Sequence, residues 1–215
     1  MDSDLPPGWE VHPSTVLDLK SDLKGRVRIE GLGCRIVVGA NVTFEATIRI
    51  FPGVTDAVVE VGDNCSIGGV IRLVRGDGGL ISIGEDTTFN QVGLSMHERG
   101  RIVFGRDCML STDIHMDPSD MHPIFDRVTG QRLNPPQDIE IGDHVWLGTR
   151  VLVLKGARIG DGAIVGAGSI VSGVLPPNTL SLGSPARVVR ENVAWTREFD
   201  ASADMTLPPG DVTVG

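Results

Sequence analysis

The chain of 215 residues has few aromatic residues, which fill wide cores, and fewer basic than acidic residues, so it is poorly suited to bind polyanions. It contains no Tyr, three Trp and six Phe, and 28 acidic against 19 basic residues give a formal net charge of −9. Because nucleic acids must be met by a basic surface, this charge argues against a nucleic-acid partner. A local basic pocket for a small anionic ligand stays compatible with it.

Long apolar runs and clustered cysteines are also missing. No apolar run approaches the roughly 18 residues that span a membrane, and the acidic start Met1-Asp2-Ser3-Asp4 does not resemble a signal peptide. Cys34, Cys65 and Cys108 are too few and too far apart for a zinc knuckle, so we expect them to be small buried hydrophobes. These absences predict one soluble, cytoplasmic domain with no membrane insertion.

What the chain has in excess is a repeat. Aliphatic residues occupy every sixth position of one stretch, namely Ile141, Leu147, Val153, Ile159, Val165 and Val171. A helix would need apolar residues every three or four positions, and an exposed strand every second one. A period of six is typical of a coil that turns a corner every six residues, so that three sides complete a turn of about 18 residues. We therefore predict an all-β fold, a left-handed parallel β-helix of hexapeptide repeats.

The spacing of the repeat locates one long insertion. Aliphatic-glycine pairs start at positions 38, 61, 83, 104, 141 and 159, with separations of 23, 22, 21, 37 and 18 residues. Since one coil takes about 18 residues, the fourth interval holds a long excess, which predicts a loop leaving the prism over 116–138. Asp117-Pro118 and Asn134-Pro135-Pro136 are turn chemistry within it. A long loop on a rigid scaffold is a typical place for function.

The remaining segments complete the expected organisation. We expect residues 1–26 to cap the open end of the prism, residues 27–190 to form the β-helix, and residues 191–215 to form a short helix over Glu191–Phe199 and then a tail. The flat sides of such a prism stay uncovered, which favours a homotrimer with three grooves between its subunits.

Three residues in or near the loop are candidates for chemistry. His122 lies where the repeat requires no ring, and an imidazole is suited to take a proton from a hydroxyl during acyl transfer. The alternative for His122 is a solvated loop histidine. His115, next to Asp113 at the loop's root, is expected to orient a substrate or fix the loop, or else to bond a backbone group.

Aromatic and basic candidates lie on the repeat itself. Trp146 takes an outward position, so we expect it to cover a neighbouring subunit or a sugar or acyl group. His144, beside it, is expected at the surface, and His97 at a corner. Arg187 and Arg190 suit an anionic ligand such as a phosphate, with solvated surface arginines as the alternative.

These residues together resemble the hexapeptide-repeat acyltransferases, in particular the galactoside, maltose and capsule or exopolysaccharide O-acetyltransferases. The resemblance runs from about Asp113 to Arg190, and its most specific part is the run from Ile159 to Val171 followed by Gly183-Ser-Pro-Ala-Arg187. It implies a left-handed β-helix homotrimer that binds acetyl-CoA between subunits, with no metal expected.

The resemblance also implies roles for single residues. His122 matches the general base and Trp146 the tryptophan of the acceptor site, which takes part in catalysis in some capsule enzymes. The implied cofactor contacts are Gly148, Thr149, Ala167, Ser172, Arg187 and Arg190. After Ser172 the family commonly has Lys-Asp, whereas this chain has Gly173-Val174, so a basic contact to CoA is missing.

The function expected from these roles is acetyl-CoA-dependent O-acetylation of a sugar or polysaccharide hydroxyl. His122 would act as base in a ternary complex, and a backbone N–H such as that of Gly148 would stabilise the oxyanion. One alternative is N-acetylation of an amino sugar or nucleotide sugar. Another is a zinc-dependent hydratase resembling the γ-type carbonic anhydrases, with His97, His115 and His122 as zinc ligands across an interface between subunits. The last is a non-catalytic structural subunit.

Overall fold

The computed structural model describes residue 5 and residues 8–198, and these fold as one parallel β-solenoid of 23 short strands. The strands before the long loop are β1 (Trp9–Val11), β2 (Val16–Leu19), β3 (Arg26–Ile29), β4 (Arg35–Val38), β5 (Thr43–Phe44), β6 (Thr47–Ile50), β7 (Val54–Thr55), β8 (Val58–Val61), β9 (Ser66–Leu73), β10 (Gly76–Asp77), β11 (Leu80–Ile83), β12 (Thr88–Met96), β13 (Arg101–Phe104) and β14 (Met109–Met116). The strands after it are β15 (Ile139–Ile141), β16 (Trp146–Leu147), β17 (Leu152–Val153), β18 (Arg158–Ile159), β19 (Ile164–Val165), β20 (Ile170–Val171), β21 (Val174–Leu175), β22 (Thr179–Gly183) and β23 (Ala186–Glu191).

Of the 23 strands, 21 line the three faces of a prism, and β7 and β10 pair with each other in a separate two-stranded sheet. Face 1 is a ladder of eight strands in the order β2-β4-β8-β11-β13-β15-β18-β21. Faces 2 and 3 belong to one thirteen-stranded sheet, because β9, β12 and β14 bend around the corner between them. The first residues of β14 pair with β16 on face 2, and its last residues pair with β17 on face 3. The final pair, β22 and β23, is antiparallel and ends the prism.

The register confirms the repeat positions predicted from spacing. The aliphatic or aromatic residues that open successive repeats are directly paired in one face 1 column, namely Val38, Val61, Ile83, Phe104, Ile141 and Ile159. Each of them is at most 3% exposed. The core is therefore a stack of inward side chains, to which a face 1 strand such as β4 contributes two, Ile36 and Val38. The three cysteines fill small places in this core as expected. Burial raises the pKa of Cys65 and Cys108 to about 11.

The corner between faces 1 and 2 is turned by left-handed residues. In seven successive coils the turning residue has a φ between 53° and 66°, and these residues are Asn41, Asn64, Asp86, Asp107, His144, Gly162 and Asn178. Gly adopts this conformation at low cost, and Asn, Asp and His are enriched in it among the other residues. His144 differs from the rest of this column in carrying a ring.

The N-terminal segment differs from the separate cap expected over residues 1–26. Trp9–Val11 pairs in parallel with Val27–Ile29, and Val16–Leu19 pairs with Arg35–Val38, so these strands are the first coil of the solenoid itself. The sequence already alternates apolar and polar residues there, which suits a coil edge as well as a cap. Residues 1–4, 6 and 7 lie outside the described residues.

The C-terminal segment also differs from expectation. Residues 192–198 are irregular in conformation and contain no helix, while Phe199 and the expected tail lie outside the described residues. A helix of this length would be marginal by itself, and contacts of Trp195 and Arg197 with the prism replace its internal hydrogen bonds. The part of the chain that the structure describes contains no helix able to cross a membrane.

Removing core volume should cost far more than removing the same atoms at the surface. Ile36 is fully buried and Leu32 is 52% exposed, and both lose three carbon atoms on change to Ala. We expect Ile36→Ala to lower the free energy of unfolding by about 2–5 kcal/mol. Leu32→Ala should change it by no more than about 0.5 kcal/mol. Urea unfolding followed by circular dichroism measures both, and equal losses would contradict the assigned inward column.

Candidate functional site

The long insertion is a folded loop. It leaves face 3 after Met116 and rejoins face 1 at Ile139, so it occupies the corner between these faces. Its outer half is a small hairpin in which Phe125 and Arg132 form an antiparallel bridge, and Val128 at the tip is 94% exposed. The buried residues of the loop are Pro118, Ser119 and Asn134. Polar contacts, rather than an apolar core, therefore hold it in place.

Asn134 fixes the segment that carries the candidate base. Its side chain is 6% exposed and lies among the residues on both sides of His122. The Nδ2 group donates to the carbonyl oxygen of His122 and to Asp120 Oδ2, both at 2.9 Å, while Oδ1 accepts from the backbone N–H of Ile124 at 2.6 Å. One amide thus satisfies three polar groups of the loop, which leaves residues 120–124 in a single conformation.

A half-buried ion pair latches the loop to the prism. Arg132 donates two hydrogen bonds to the carboxylate of Glu98, at 2.9 and 2.7 Å, and Ser119 Oγ donates a third at 2.6 Å. The Arg132 hydrogen bonds, followed by that of Ser119, lower the pKa of Glu98 to about 2. Bidentate charge-assisted pairs of this kind fix geometry as well as adding stability.

Two further carboxylates anchor the loop's first turn. Asp120 forms an ion pair with Lys155 of the next coil, and this contact lowers the pKa of Asp120. Asp117 bonds the ring of His97, while burial raises the pKa of Asp117. His97 therefore lies at a corner, as expected, and serves the loop's root.

His122 emerges from this framework with its ring outside. Its backbone is held by Asn134, and its N–H donates to the Asp120 carbonyl oxygen at 2.7 Å. The residue is exposed, and its imidazole makes no hydrogen bond within the described part of the chain. An exposed imidazole on a held backbone is able to accept a proton from an incoming hydroxyl.

A groove runs along face 3 beneath the loop. It has a volume of about 520 Å³, and the loop residues Asp120 and Met121 form one wall. The opposite wall comes from Leu152 and Leu154 of the following coil, with His115 at one end. The half-exposed leucines give the groove an apolar side and the loop gives it a polar one.

His115 and Asp113 lie where faces 2 and 3 meet. The His115 ring packs on Gly93, where an added Cβ would lie 2.5 Å from Cε1 of the ring, so only glycine leaves room for it. Asp113 turns the corner with a φ of 60° and faces Arg150 at 3.5 Å. Both residues line a second groove of about 560 Å³, and His115 borders the two grooves.

Trp146 lies on another face from the loop. It sits on face 2 between Met109 and Ile164 in the ladder and is 37% exposed. Its neighbour is Trp195, whose ring centroid is 6.1 Å away. His144, expected at the surface, is instead half-buried, because its ring stacks on Trp195 at 4.0 Å and its Nδ1 bonds Asp107.

The residues implied in cofactor binding fall into three places. Gly148, Thr149 and Ala167 share the corner between faces 2 and 3 in successive coils, where the Gly168 N–H donates to the Thr149 carbonyl oxygen. Arg187 and Arg190 are exposed on β23, whose partner β22 adjoins this column. Ser172 is exposed at the next corner, between faces 3 and 1.

The structure corrects the expected oxyanion donor. The N–H of Gly148 already donates to the Val165 carbonyl oxygen at 2.8 Å, because it continues the β16–β19 ladder. The corner N–H groups of Thr149 and Ala167, in contrast, make no hydrogen bond within residues 8–198. Among Gly148, Thr149 and Ala167, the last two therefore keep an N–H that can donate to a ligand.

The zinc alternative finds no support within one chain. Over residues 8–198 no three His, Cys, Asp or Glu side chains are arranged to hold a metal ion. His97 is bonded to Asp117, His115 packs on Gly93, and His122 projects from the loop.

Sequence reasoning missed the residues that support the site. Asn134, Glu98 and Arg132 carry no motif, because their role depends on contacts made across the loop and between coils. Trp195 had one signal, a lone indole in a segment otherwise expected to be a helix and tail.

Comparison with known proteins gives consistent relatives. Residues 138–173 match the family model described as bacterial transferase hexapeptide (six repeats). The polysialic acid O-acetyltransferase of Neisseria meningitidis is 34% identical over 171 residues, which cover 79% of this chain and 74% of that protein. The polysialic acid O-acetyltransferase of Escherichia coli O1:K1 / APEC is 31% identical over 139 residues, covering 65% of this chain and 45% of that protein. The chain thus spans less than half the length of the second relative.

A solved structure agrees over nearly the whole chain. The crystal structure of the polysialic acid O-acetyltransferase OatWY matches with a TM-score of 0.79 and 27% identity, covering 91% of this chain and 90% of that one. This agreement confirms the predicted fold class, a left-handed parallel β-helix built from hexapeptide repeats.

The latch between Glu98 and Arg132 should control opening of the loop. We expect Glu98→Gln to lower the free energy of loop opening by about 1–3 kcal/mol, because the charge that Arg132 and Ser119 bind is lost. Hydrogen exchange at the amides of Met121 and Ile124 measures this opening and should accelerate about tenfold or more. Glu140→Gln is the control, since the Glu140–Arg158 pair is exposed and should matter little.

Acid should open the same latch. A carboxylate whose pKa is lowered in the folded state stabilises that state at pH values above its ordinary pKa, which is 4.5 for Glu98. This contribution is lost as the pH falls towards the folded-state pKa of about 2. Asp120 acts in the same direction and Asp117 in the opposite one. The rate of loop exchange, taken relative to that of an unprotected amide at the same pH, should therefore rise less in the Glu98→Gln protein than in the wild type between pH 5 and 3. Equal acceleration in both would contradict the latch.

Proposed function

Since this chain belongs to the hexapeptide-repeat acyltransferases, we propose that it transfers an acetyl group from acetyl-CoA to a hydroxyl of a sugar or polysaccharide. The enzyme class expected from the sequence is confirmed by its relatives, which are O-acetyltransferases. The proposed acceptor class follows from their names, since both act on polysialic acid.

One observation carries this proposal: Asn134 fixes the backbone of His122, which is exposed and directly follows Asp120 and Met121 of the face 3 groove. His122 takes the proton of the acceptor hydroxyl as the oxygen attacks the thioester carbonyl. A new C–O ester bond forms, the C–S bond breaks, and the imidazolium returns the proton to the departing CoA thiolate. No nucleophile that would form an acyl-enzyme is needed, so both substrates bind together.

Corner donors support the placement of the thioester. The N–H groups of Thr149 and Ala167 have no protein acceptor and lie in the same corner column, so they suit the carbonyl oxygens of the pantetheine arm or an oxyanion. Arg187 and Arg190 provide exposed positive charge for phosphates near the end of that column. With Gly173-Val174 in place of Lys-Asp, these arginines carry more of the phosphate contact.

The separation of His122 and Trp146 supports a homotrimer. The loop of His122 stands over face 3, whereas Trp146 lies on face 2. A closed three-fold ring uses heterologous contacts, in which two different surfaces meet. If face 3 of one subunit lies against face 2 of the next, each groove receives His122 from one copy and Trp146 from its neighbour.

Removal of the imidazole tests the base. His122→Ala should lower kcat by about 10²–10⁴-fold, because the hydroxyl then attacks without a base, while CoA binding and assembly stay unchanged. The assay follows thiol release from acetyl-CoA with a panel of free sugars, nucleotide sugars, amino sugars and polysaccharides. His12→Ala is the matched control, since His12 bonds Ser14 in the first coil. Near-normal turnover in His122→Ala would overturn the assignment, and acylation of amines alone would favour the N-acetyltransferase alternative.

Removal of the two arginines tests the phosphate contact. The double change Arg187→Ala/Arg190→Ala should weaken CoA binding about tenfold or more. Two exposed arginines that contact a phosphate together contribute on the order of 1–3 kcal/mol to the free energy of binding. Isothermal titration with CoA and with dephospho-CoA measures the loss and shows which phosphate is gripped. Arg158→Ala, at an exposed site on face 1, is the control. Unchanged affinity in the double variant would remove these residues from the site.

A further inference from the structure

The C-terminal residues 192–198, here called the strap, climb the corner between faces 1 and 2. The Val193 N–H donates to the Asn178 carbonyl oxygen in the last coil. Further along, Trp195 contacts His144, and Arg197 reaches the carbonyl oxygen of Asp86. The strap therefore follows the column of left-handed corner residues across the coils that flank the long loop's insertion point.

Trp195 is the centre of the strap. It is 5% exposed, and its Nε1–H donates to the His144 carbonyl oxygen at 2.8 Å. The His144 ring stacks on it with an interplanar angle of 8°, and His144 Nε2 bonds the Trp195 carbonyl oxygen at 3.1 Å. Asp107 fixes the other side of the imidazole through Nδ1. The indole is thereby locked in position and orientation.

Arg197 secures the far end of the strap. Its guanidinium donates to Asp107 Oδ1, Thr88 Oγ1 and the Cys108 carbonyl oxygen, each at 2.9 Å. These bonds, with the contact of His144, lower the pKa of Asp107 against the opposing effect of its burial. With the bond to the Asp86 carbonyl oxygen, Arg197 donates four hydrogen bonds to the prism. The strap is therefore an ordered part of the fold.

On the side of the strap next to face 2, Trp195 packs against Trp146. Their ring centroids are 6.1 Å apart and the planes are inclined by 48°, a tilted aromatic contact. On the ladder itself Trp146 is flanked by Met109 and Ile164, which are flexible or aliphatic and set no ring orientation. Trp195 is the fixed aromatic surface beside Trp146 in the described residues.

We propose that Trp195 is a positioning residue: held by His144, it orients the Trp146 indole for the acetyl acceptor. This inference rests on the proposed function, in which Trp146 contacts the acceptor. Trp195 itself is buried and does not touch substrate. An indole held in one orientation loses less freedom when a sugar ring packs on it, and a displaced one reduces the fraction of productive complexes.

Steady-state kinetics tests the role. Trp195→Ala should raise the acceptor KM and lower kcat/KM for the acceptor by about 10- to 100-fold, with the KM for acetyl-CoA unchanged. Trp195→Phe keeps an aromatic ring against His144 and Trp146 and should restore most of the activity. Ile36→Ala provides a protein destabilised far from the strap, and its kinetics below its unfolding temperature should match the wild type.

Fluorescence tests the orientation of Trp146 without relying on turnover. The chain has three tryptophans, so Trp9→Phe combined with Trp195→Phe or with Trp195→Ala leaves Trp146 as the single emitter. Loss of the ring should shift Trp146 emission to the red and increase its quenching by acrylamide relative to the Phe variant.

The outcomes separate the two ideas. If the wild type acetylates its acceptor and Trp195→Ala keeps a normal acceptor kcat/KM, the positioning role is wrong and the proposed function stands. Equal kinetic losses in Trp195→Ala and Ile36→Ala would reduce the strap to a stabilising element. If the wild type transfers no acetyl group, the proposed function fails. Identical Trp146 emission in the two fluorescence variants would show that Trp195 does not orient Trp146, whatever the kinetics.

Discussion

Vertical register is the constraint on which the rest of this molecule depends. Each coil must place its inward residue directly below that of the coil above, as Ile141 lies on Phe104 and Ile159 on Ile141. The ladder hydrogen bonds and the packed column are satisfied together only in this register, and a slip of one residue would turn the whole row outwards. Extra residues are therefore tolerated only at corners, which is where every insertion of this chain is found.

This constraint also decides how the loop is held. The inward positions are already filled by the core, so the inserted residues after Met116 have no apolar interior to enter. They are fixed instead by Asn134 and by the Glu98–Arg132 pair, whose hydrogen bonds are directional and set one geometry. Such contacts specify position as well as adding stability, which is what the proposed general base on this loop requires.

The same logic explains what the sequence could predict. Local spacing predicts the period of six, the paired residues of the face 1 column and the place of the long insertion. In a repeat fold the interval between equivalent residues equals the length of one coil, so it can be read from the sequence. His122 stood out because nothing in the repeat needs it. The roles of Asn134 and Glu98 could not be found, since their partners are distant along the chain. Trp195 was marked only as a lone indole, and the short helix expected over Glu191–Phe199 left out the prism surface on which Trp195 packs. Gly148 was expected to donate to an oxyanion, yet its N–H belongs to the ladder, a use that spacing alone does not reveal.

A prism whose inward side chains are all structural must carry its chemistry on the outside. Outward side chains on a flat face are too far apart and too solvated to form an enclosed site by themselves. Enclosure has to come from elements added to the faces, here a loop over face 3 and a strap beside face 2. The proposed homotrimer would add a neighbouring copy that closes the groove between them. His122 and Trp146 then need different supports, since one hangs from the loop and the other stands on a strand. Asn134 holds the backbone of His122 in the loop, and the buried indole of Trp195, fixed by His144, packs against Trp146. In the proposed mechanism each of the two residues thus has its own positioning contact.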